Sequence, residues 1–218
     1  MRHAEIFEEI GHGGSAEPLR SWVRGVLADI AAGASDISAV RHPLGFLCLP
    51  VRRSGAEGVC VHLWGGHLAP AELTTSDTHA HSWDLHSYVL FGRVHNELVE
   101  VSDAPGTATH RVYEVHSLGE VDEIRVTGRT VTRATSTVGV YRAGDAYTLP
   151  AGRFHRSVVP AGEQTATVAL GRTRPGQHDL SLGPLGGRTH RVSRRRCDPA
   201  ETARAARAVT DRIAAAHP

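Results

Sequence analysis

The sequence has few cysteines, no excess of either charge and no long hydrophobic run. Its three cysteines, Cys48, Cys60 and Cys197, are scattered without a C-x-x-C pair, which argues against a disulfide framework or a cysteine-based zinc site. Lys and Arg (24) nearly balance Asp and Glu (23), so charge indicates neither nucleic acid nor a membrane surface as partner. No signal peptide or membrane-spanning segment is recognisable, and we expect a cytoplasmic protein.

Histidine, by contrast, is abundant, with 15 copies among 218 residues. A chain of this length fits one all-β domain with additions. We expect an N-terminal arm with an amphipathic helix over residues 1–39, a β-domain over residues 40–172, and a strap and helix over residues 173–218.

The helix of the N-terminal arm is predicted over residues 17–32. Its apolar residues recur at i, i+3, i+4, i+7, i+8 and i+11, Ser15 can cap it, Pro18 stands in the first turn and Gly33 ends it. Its apolar face must cover either the outside of the β-domain or the same face of a second subunit. A homodimer, formed by pairing of such helices or of edge strands, is expected.

The C-terminal helix is predicted to run to Ala216, with Asp198 as N-cap and Pro199 in the first turn. The arginine-rich segment 173–196 before it has no interleaved aromatic residues. It is therefore interpreted as an irregular, solvated strap in preference to a nucleic-acid-binding arm.

Between the helices, short runs rich in β-branched residues alternate with Gly- and Pro-containing turns, and a polar connection is expected over residues 119–128. Eight or more such strands indicate an all-β sandwich or closed jelly-roll barrel. The clearest predicted strands cover residues 44–51, 58–64, 93–101, 110–116, 130–142 and 165–171.

Four histidines in two distant stretches are candidate metal ligands. His79 and His81 are separated by one residue, so in an extended strand their side chains point the same way, about 7 Å apart along the strand. His86 follows five residues later, and His155 arrives behind a Pro and a Gly that favour a tight turn. Because imidazole is the commonest metal ligand, this pattern predicts a metal site.

The second stretch matches G-x5-P-x-G-x2-H at Gly144, Pro150, Gly152 and His155, and it resembles the second motif of the cupin superfamily. The Asn that follows the last His in that motif is replaced by Val159. The resemblance covers roughly residues 40 to 172.

The first stretch resembles the first cupin motif, H-x-H-x4-E followed by Gly, through His79, His81 and Gly92. The usual Glu position is His86, the leading Gly is Leu73, and Gly92 stands one residue early. The resemblance implies a double-stranded β-helix, a jelly-roll barrel holding one divalent transition metal. It implies the ligands His79, His81 and His155, with His86 as the further ligand.

Three more residues are candidates for catalytic roles. Asp84 shares strand parity with His86, so it is an alternative ligand, an acceptor that fixes an imidazole tautomer, or a turn residue. Tyr88 continues the same parity and is expected to point into the cavity, where its hydroxyl could orient substrate. Tyr147, beside the second motif, is a candidate for the same role. Core packing is the alternative for both tyrosines.

Histidine-rich cupins are often dioxygenases, so the resemblance favours a mononuclear Fe(II)-type oxygenase acting on a small organic molecule with dioxygen. Ni, Mn, Cu or Zn are the other candidate metals. Neutral ligands leave the ion its full charge, which suits activation of a chelating substrate. The alternatives are a non-redox isomerase or lyase, a metabolite-binding cupin without turnover, and a metal-free epimerase-like enzyme using Asp84 and His86 for proton transfer.

Overall fold

The computed structural model describes residues 1–12, 16–65, 73, 75–104 and 106–216. Three helices lie at the ends of the chain: α1 (His3–His12), α2 (Glu17–Ala31) and α3 (Pro199–Ala216). Fourteen strands lie in the described part of the chain between α2 and α3. They are β1 (Val40–His42), β2 (Phe46–Ser54), β3 (Glu57–Trp64), β4 (His79–Ala80), β5 (Trp83–Phe91), β6 (Arg93–Asp103), β7 (His110–Leu118), β8 (Val121–Arg142), β9 (Ala146–Leu149), β10 (His155–Val158), β11 (Thr165–Thr173), β12 (Asp179–Gly183), β13 (His190–Ser193) and β14 (Arg195–Arg196).

The strands form two antiparallel sheets of seven strands each. Sheet 1 has the order β14-β1-β2-β3-β11-β5-β9, and sheet 2 has the order β13-β8-β6-β10-β4-β12-β7. From β4 to β12 the chain passes repeatedly between the sheets, so neighbours in space are distant in sequence. This antiparallel crossover pattern is that of a jelly roll and confirms the predicted fold class.

The three helices cover one face of sheet 1. Apolar side chains of the helices and of the central strands of this sheet form one core, while the opposite face of the sheet lines a cavity. The core contains Ile6, Ile10, Leu19, Val23, Leu27, Ile30, Leu49, Val61, Leu90, Val168, Val209 and Ile213. The predicted α2 is confirmed, and its apolar face covers the outside of the β-domain.

Of the two N-terminal helices, only α2 was predicted. Residues 1–14 gave no recognised signal for α1. Ile6 and Ile10 of α1 are nevertheless buried in the core. Ser15, the predicted cap of α2, lies outside the described residues. No helix in the described ranges combines the length and apolar character needed to cross a bilayer.

The C-terminal helix begins as predicted. The Asp198 carboxylate accepts a hydrogen bond from the Glu201 backbone N–H at 2.7 Å, and Glu201 Oε2 accepts one from the Asp198 N–H at 3.3 Å. This reciprocal arrangement is a capping box. The helix packs against α2 and β5.

Two predicted irregular segments are in fact strands. The expected connection 119–128 is wrong, since all but its first two residues lie in β8, whose first half pairs with β7 and whose second half pairs with β6. The expected irregular strap 173–196 contains β12, β13 and β14. The arginine-rich sequence of β13 and β14 was misleading because these edge strands are exposed at nearly every position, where polar side chains are compatible with strand pairing. The three-part division at residues 39 and 172, and the homodimer, stay predictions.

Gly92, in the tight connection from β5 to β6, is required by space as well as by conformation. It has φ +78°, and an added Cβ would lie 2.5 Å from the Gln164 carbonyl oxygen. Gly33, after α2, has φ +74° with no heavy atom within 4 Å of such a Cβ. Comparing substitutions at the two glycines therefore separates the cost of backbone strain from the cost of a steric clash.

Replacing Gly92 by Ala is expected to lower the free energy of unfolding by about 3 kcal/mol, from left-handed strain and forced displacement of β11. Gly33→Ala, which adds only strain, is expected to cost about 1 kcal/mol. Urea unfolding monitored by circular dichroism measures both. Equal losses in the two variants would contradict the close approach of β11 to Gly92.

Candidate metal centre

A cavity of about 560 Å³ lies between the inner face of sheet 1 and the strands of sheet 2. One wall carries the alternate residues Trp83, Leu85 and Ser87 of β5. His79, His81 and His155 line the same cavity. Three of the four histidines predicted as ligands are therefore brought together.

Strand pairing fixes two of these histidines. His79 on β4 lies directly opposite His155 on β10, and the other side of His79 pairs with Ser181 of β12. The next strand beyond β10 is β6, where Leu98 lies opposite His155. Both imidazoles are thus held in the middle of sheet 2.

The third histidine is held by the turn of the second motif. The Gly152 N–H donates a 2.8 Å hydrogen bond to the His81 carbonyl oxygen, just after β4. Gly152 has φ +78°, a conformation open to glycine at little cost. The Arg153 N–H donates to the Pro150 carbonyl at 3.2 Å and closes the turn. The P-x-G sequence therefore joins the two motif stretches physically.

The three imidazoles are close enough to share one ion. One ligating nitrogen from each lies within 4.8 Å of the others, and the Nε2 atoms of His81 and His155 are 3.2 Å apart. Two nitrogens bound to one metal at about 2.1 Å stand about 3.0 to 3.4 Å apart for octahedral to tetrahedral angles. The separation of His81 and His155 lies within this range.

Hydrogen bonds at the far side of two rings orient their Nε2 atoms. His155 Nδ1 lies 2.8 Å from Oδ1 of the buried Asn96 on β6, and His79 Nδ1 lies 3.0 Å from the Asp77 carbonyl oxygen. A carbonyl oxygen only accepts, so each Nδ1 carries the proton and each Nε2 keeps its lone pair. Metal-binding histidines usually have such partners.

The site favours neutral imidazole. Burial lowers the pKa of His79, and it lowers the pKa values of His81 and His155 well below the ordinary histidine value. The neighbouring imidazoles act in the same direction, since a positive charge on His79 opposes one on His81 or His155. Neutral imidazole is the form that binds metal.

His86 does not lie with the other three histidines. It is on the outer face of β5, where its ring makes an edge contact with Phe7 of α1 at a centroid distance of 4.6 Å. The inner face of β5 is formed by odd-numbered residues from Trp83 to Ser87, so His86 points away from the cavity. The H-x-H-x4-H spacing already gives His86 the opposite parity to His79 and His81, and that alternation continues from His81 into β5.

Asp84 shares the outer face with His86 and does not line the cavity. Its carboxylate forms an ion pair with Arg174 and accepts a 3.0 Å hydrogen bond from the Ala151 N–H. The hydrogen bonds from Arg174 and then Ala151 lower the pKa of the Asp84 carboxyl. Asp84 therefore anchors the 150–152 turn from outside.

The two tyrosines differ in placement. Tyr88, expected in the cavity, lies in the core beneath the helices, and its hydroxyl accepts a 3.1 Å hydrogen bond from Arg20 of α2. Tyr147 does line the cavity, together with its strand partner Ser87 and with Ser157. Burial raises the pKa of Tyr147, so it remains a phenol.

Two contributors escaped the sequence reasoning. Asn96 lies opposite Ser157, and only its strand register with β10 brings it to His155. Aromatic side chains also form part of the wall: Trp83 stacks on His81 at 4.1 Å, and Phe46 lies 4.8 Å from Trp64 between ring centroids. Asn96 carried no sequence signal.

The metal-free protein is expected to lose stability as pH falls from 7 to 5. The folded-state pKa values of His79, His81 and His155 are lowered, whereas the unfolded chain takes up protons near pH 6.5. Stability is therefore full above pH 6.5 and declines below it, by up to about 1.4 kcal/mol per pH unit for each histidine.

Urea unfolding at several pH values measures this decline, and His155→Gln should make it shallower. A variant with the parental slope would show that His155 protonates as readily in the folded chain as in the unfolded one.

No protein-family model and no curated protein match this sequence. Solved structures do, at low identity. A double-stranded β-helix domain protein from Klebsiella pneumoniae subsp. pneumoniae MGH 78578 is 13% identical, over 64% of this chain and 84% of that one, with a TM-score of 0.36. The polyketide cyclase RemF from Streptomyces resistomycificus is 16% identical over 76% and 86%, with a TM-score of 0.38.

Hydroquinone 1,2-dioxygenase from Sphingomonas sp. TTNP3 is 17% identical, over 57% of this chain and 64% of that one, with a TM-score of 0.32. Similarity at this level carries no argument about the activity or the substrate of this chain. The fold is settled by the two crossed antiparallel sheets and by the joining of the two motif stretches. The chain has the double-stranded β-helix fold of the cupins, with a helical layer on one sheet.

Proposed function

We propose that His79, His81 and His155 bind one divalent transition metal ion, with Fe(II) favoured over Ni, Mn, Cu or Zn. The observation that carries this proposal is the convergence of three ligating nitrogens within 4.8 Å. Three neutral ligands on one side of an ion leave coordination positions open toward the cavity. A small molecule can then enter without displacing a protein ligand.

We propose further that the protein is a metal-dependent oxygenase acting on a small organic molecule. When bound, Fe(II) supplies Lewis acidity and redox chemistry with dioxygen. The histidines hold their lone pairs toward the ion. Because imidazoles add no negative charge, the ion keeps its full charge, which favours activation of a bound molecule over storage of the metal.

The aromatic residues of the cavity wall favour a substrate with a flat apolar part. Phe46 is surrounded by the rings of His42, His62 and Trp64 at centroid distances of 4.4, 4.4 and 4.8 Å. All four line the cavity. Aromatic rings pack planar ligands with favourable offset or edge contacts, so an oxygen-bearing aromatic or conjugated molecule fits best.

Tyr147 supports a second candidate function, a non-redox isomerase or lyase. Its buried phenol remains protonated and lines the cavity. A phenol near a polarised carbonyl can hold and return a proton. The metal-free epimerase alternative receives no such support, because Asp84 and His86 lie outside the cavity lining.

Tag-free protein reconstituted anaerobically with Fe(II) is expected to bind about one ion per chain, since one group of three imidazoles is present. His79→Gln and His155→Gln should reduce bound iron to near zero. The matched control is His86→Gln, which should retain it. Inductively coupled plasma mass spectrometry gives the stoichiometry, and iron retained in both cavity variants would refute the site.

The iron-loaded protein should consume dioxygen with at least one member of a panel of catechols, thiols and diketones. Consumption should require Fe(II) and be abolished by His79→Gln. Bound iron without oxygen uptake, together with isomerised or cleaved product, would select the non-redox reaction. Bound iron with no product from any compound would instead favour ligand binding without turnover.

Asn96→Leu is expected to weaken Fe(II) binding about 10- to 100-fold while all three imidazoles remain, because His155 loses the acceptor of its Nδ1–H. Asn96→Asp keeps that acceptor and should bind iron at least as tightly as the parent. Competition with a chromogenic chelator measures both affinities. Equal weakening in both variants would mean that Asn96 acts through packing alone.

A further inference from the structure

A second group of metal-ligating side chains faces the same cavity. Cys48 on β2 and His62 on β3 are direct cross-strand partners, and Cys60 precedes His62 by two residues on the same strand. Side chains two apart on a strand share a face. The sulfur and nitrogen atoms of all three therefore point from sheet 1 into the cavity.

These atoms are within ligating reach of one another. One atom from each of Cys48, Cys60 and His62 lies within 4.8 Å of the others. Around a tetrahedral ion, thiolate sulfurs at about 2.3 Å from the metal stand about 3.8 Å apart. The separations within the group, at most 4.8 Å, are compatible with that spacing.

An unpaired hydroxyl lies in the same cross-strand row. Thr167 on β11 is the partner of His62 on the side away from Cys48. Its Oγ1 is buried and has no hydrogen-bond partner among the described residues, although the residue lines the cavity. Buried polar groups almost always have a partner. An ion at the trio, or a water bound to it, would supply one.

Charge around the trio also suits thiolates. Arg53 and Arg194 line the cavity together with Cys48 and Cys60, and nearby cations favour ionised cysteine. Two thiolates and one neutral imidazole form a soft donor set with a net charge of −2. Such a set selects Zn²⁺, whereas three imidazoles suit Fe(II) and similar ions.

We propose that Cys48, Cys60 and His62 form a second metal site that binds Zn²⁺ with a fourth position open to the cavity. The site is distinct from the three-histidine group. Thr167 is a positioning residue whose hydroxyl contacts the ligand in the fourth position. The cavity would then hold a Zn²⁺ site with two thiolate ligands on sheet 1 and a separate three-histidine metal site on the side of sheet 2.

Cobalt is the diagnostic probe, because a thiolate bound to Co²⁺ gives a near-ultraviolet charge-transfer band that imidazole ligands cannot give. The full-length protein carrying His79→Gln and His155→Gln, reduced and metal-free, is titrated anaerobically with Co²⁺. About one equivalent should produce the band. Zn²⁺ should remove it by displacement, with Zn²⁺ bound more tightly, as soft donors favour.

Cys48→Ser and Cys60→Ser, each added to this background, should abolish the band. Cys197→Ser is the matched control, because its thiol lies in the helical core away from the cavity, and it should leave the band at full intensity. Thr167→Val keeps all three ligands and should weaken Co²⁺ binding about tenfold, as loss of an outer hydrogen bond does. Circular dichroism confirms that each variant is folded.

A reduced, folded protein with three titratable thiols and no charge-transfer band would overturn the proposal. So would a band that survives Cys48→Ser or is lost in Cys197→Ser. These outcomes are independent of the iron site, since its ligands are removed in the background. Failure of the iron stoichiometry alone therefore leaves this proposal standing, and the converse also holds.

Discussion

The pairing of β4 with β10 is the contact on which the site depends. It sets His79 opposite His155, although 76 positions separate them in the sequence. A slip of one residue would turn every side chain of the short strand to the opposite face. The pairing is secured from two directions, by β12 beside β4 and by the Gly152 hydrogen bond to the His81 carbonyl. Without both of these supports, a strand of only two residues would have to hold the register.

Sheet 1 separates two environments. Tyr88 and Leu90 of β5 enter the helix-covered core, while odd-numbered residues such as Leu85 and Ser87 face the cavity. The helices therefore allow the sheet to be apolar on one side and rich in histidine, cysteine and hydroxyl groups on the other. Buried polar groups of that kind are costly unless they bind an ion, a ligand or one another. The cavity face is thus where chemistry is expected, and the core face supplies stability.

Sequence reasoning identified the fold class, both predicted helices and the convergence of His79, His81 and His155. These succeeded because they depend on local periodicity and on a motif of fixed spacing. It misplaced His86 and Tyr88 because it did not carry strand parity from the H-x-H pair into β5. The odd-numbered residues His79, His81, Trp83, Leu85 and Ser87 all line the cavity, so the even-numbered His86 and Tyr88 lie on the other face. The contact of Asn96 with His155 and the pairing of Cys48 with His62 depend on the register between strands. A single sequence does not reveal that register.

β8 is a single strand of 22 residues, and its two halves belong to different neighbours. The first half pairs with β7, whose residues Val115 and His116 line the cavity, and the second half pairs with β6, which carries Asn96. Asn96 lies opposite Gly139 of β8, so one uninterrupted strand borders both a cavity-lining strand and the strand that carries the hydrogen-bond partner of His155. β8 therefore supports two parts of the site along its length, although most of its second half is exposed.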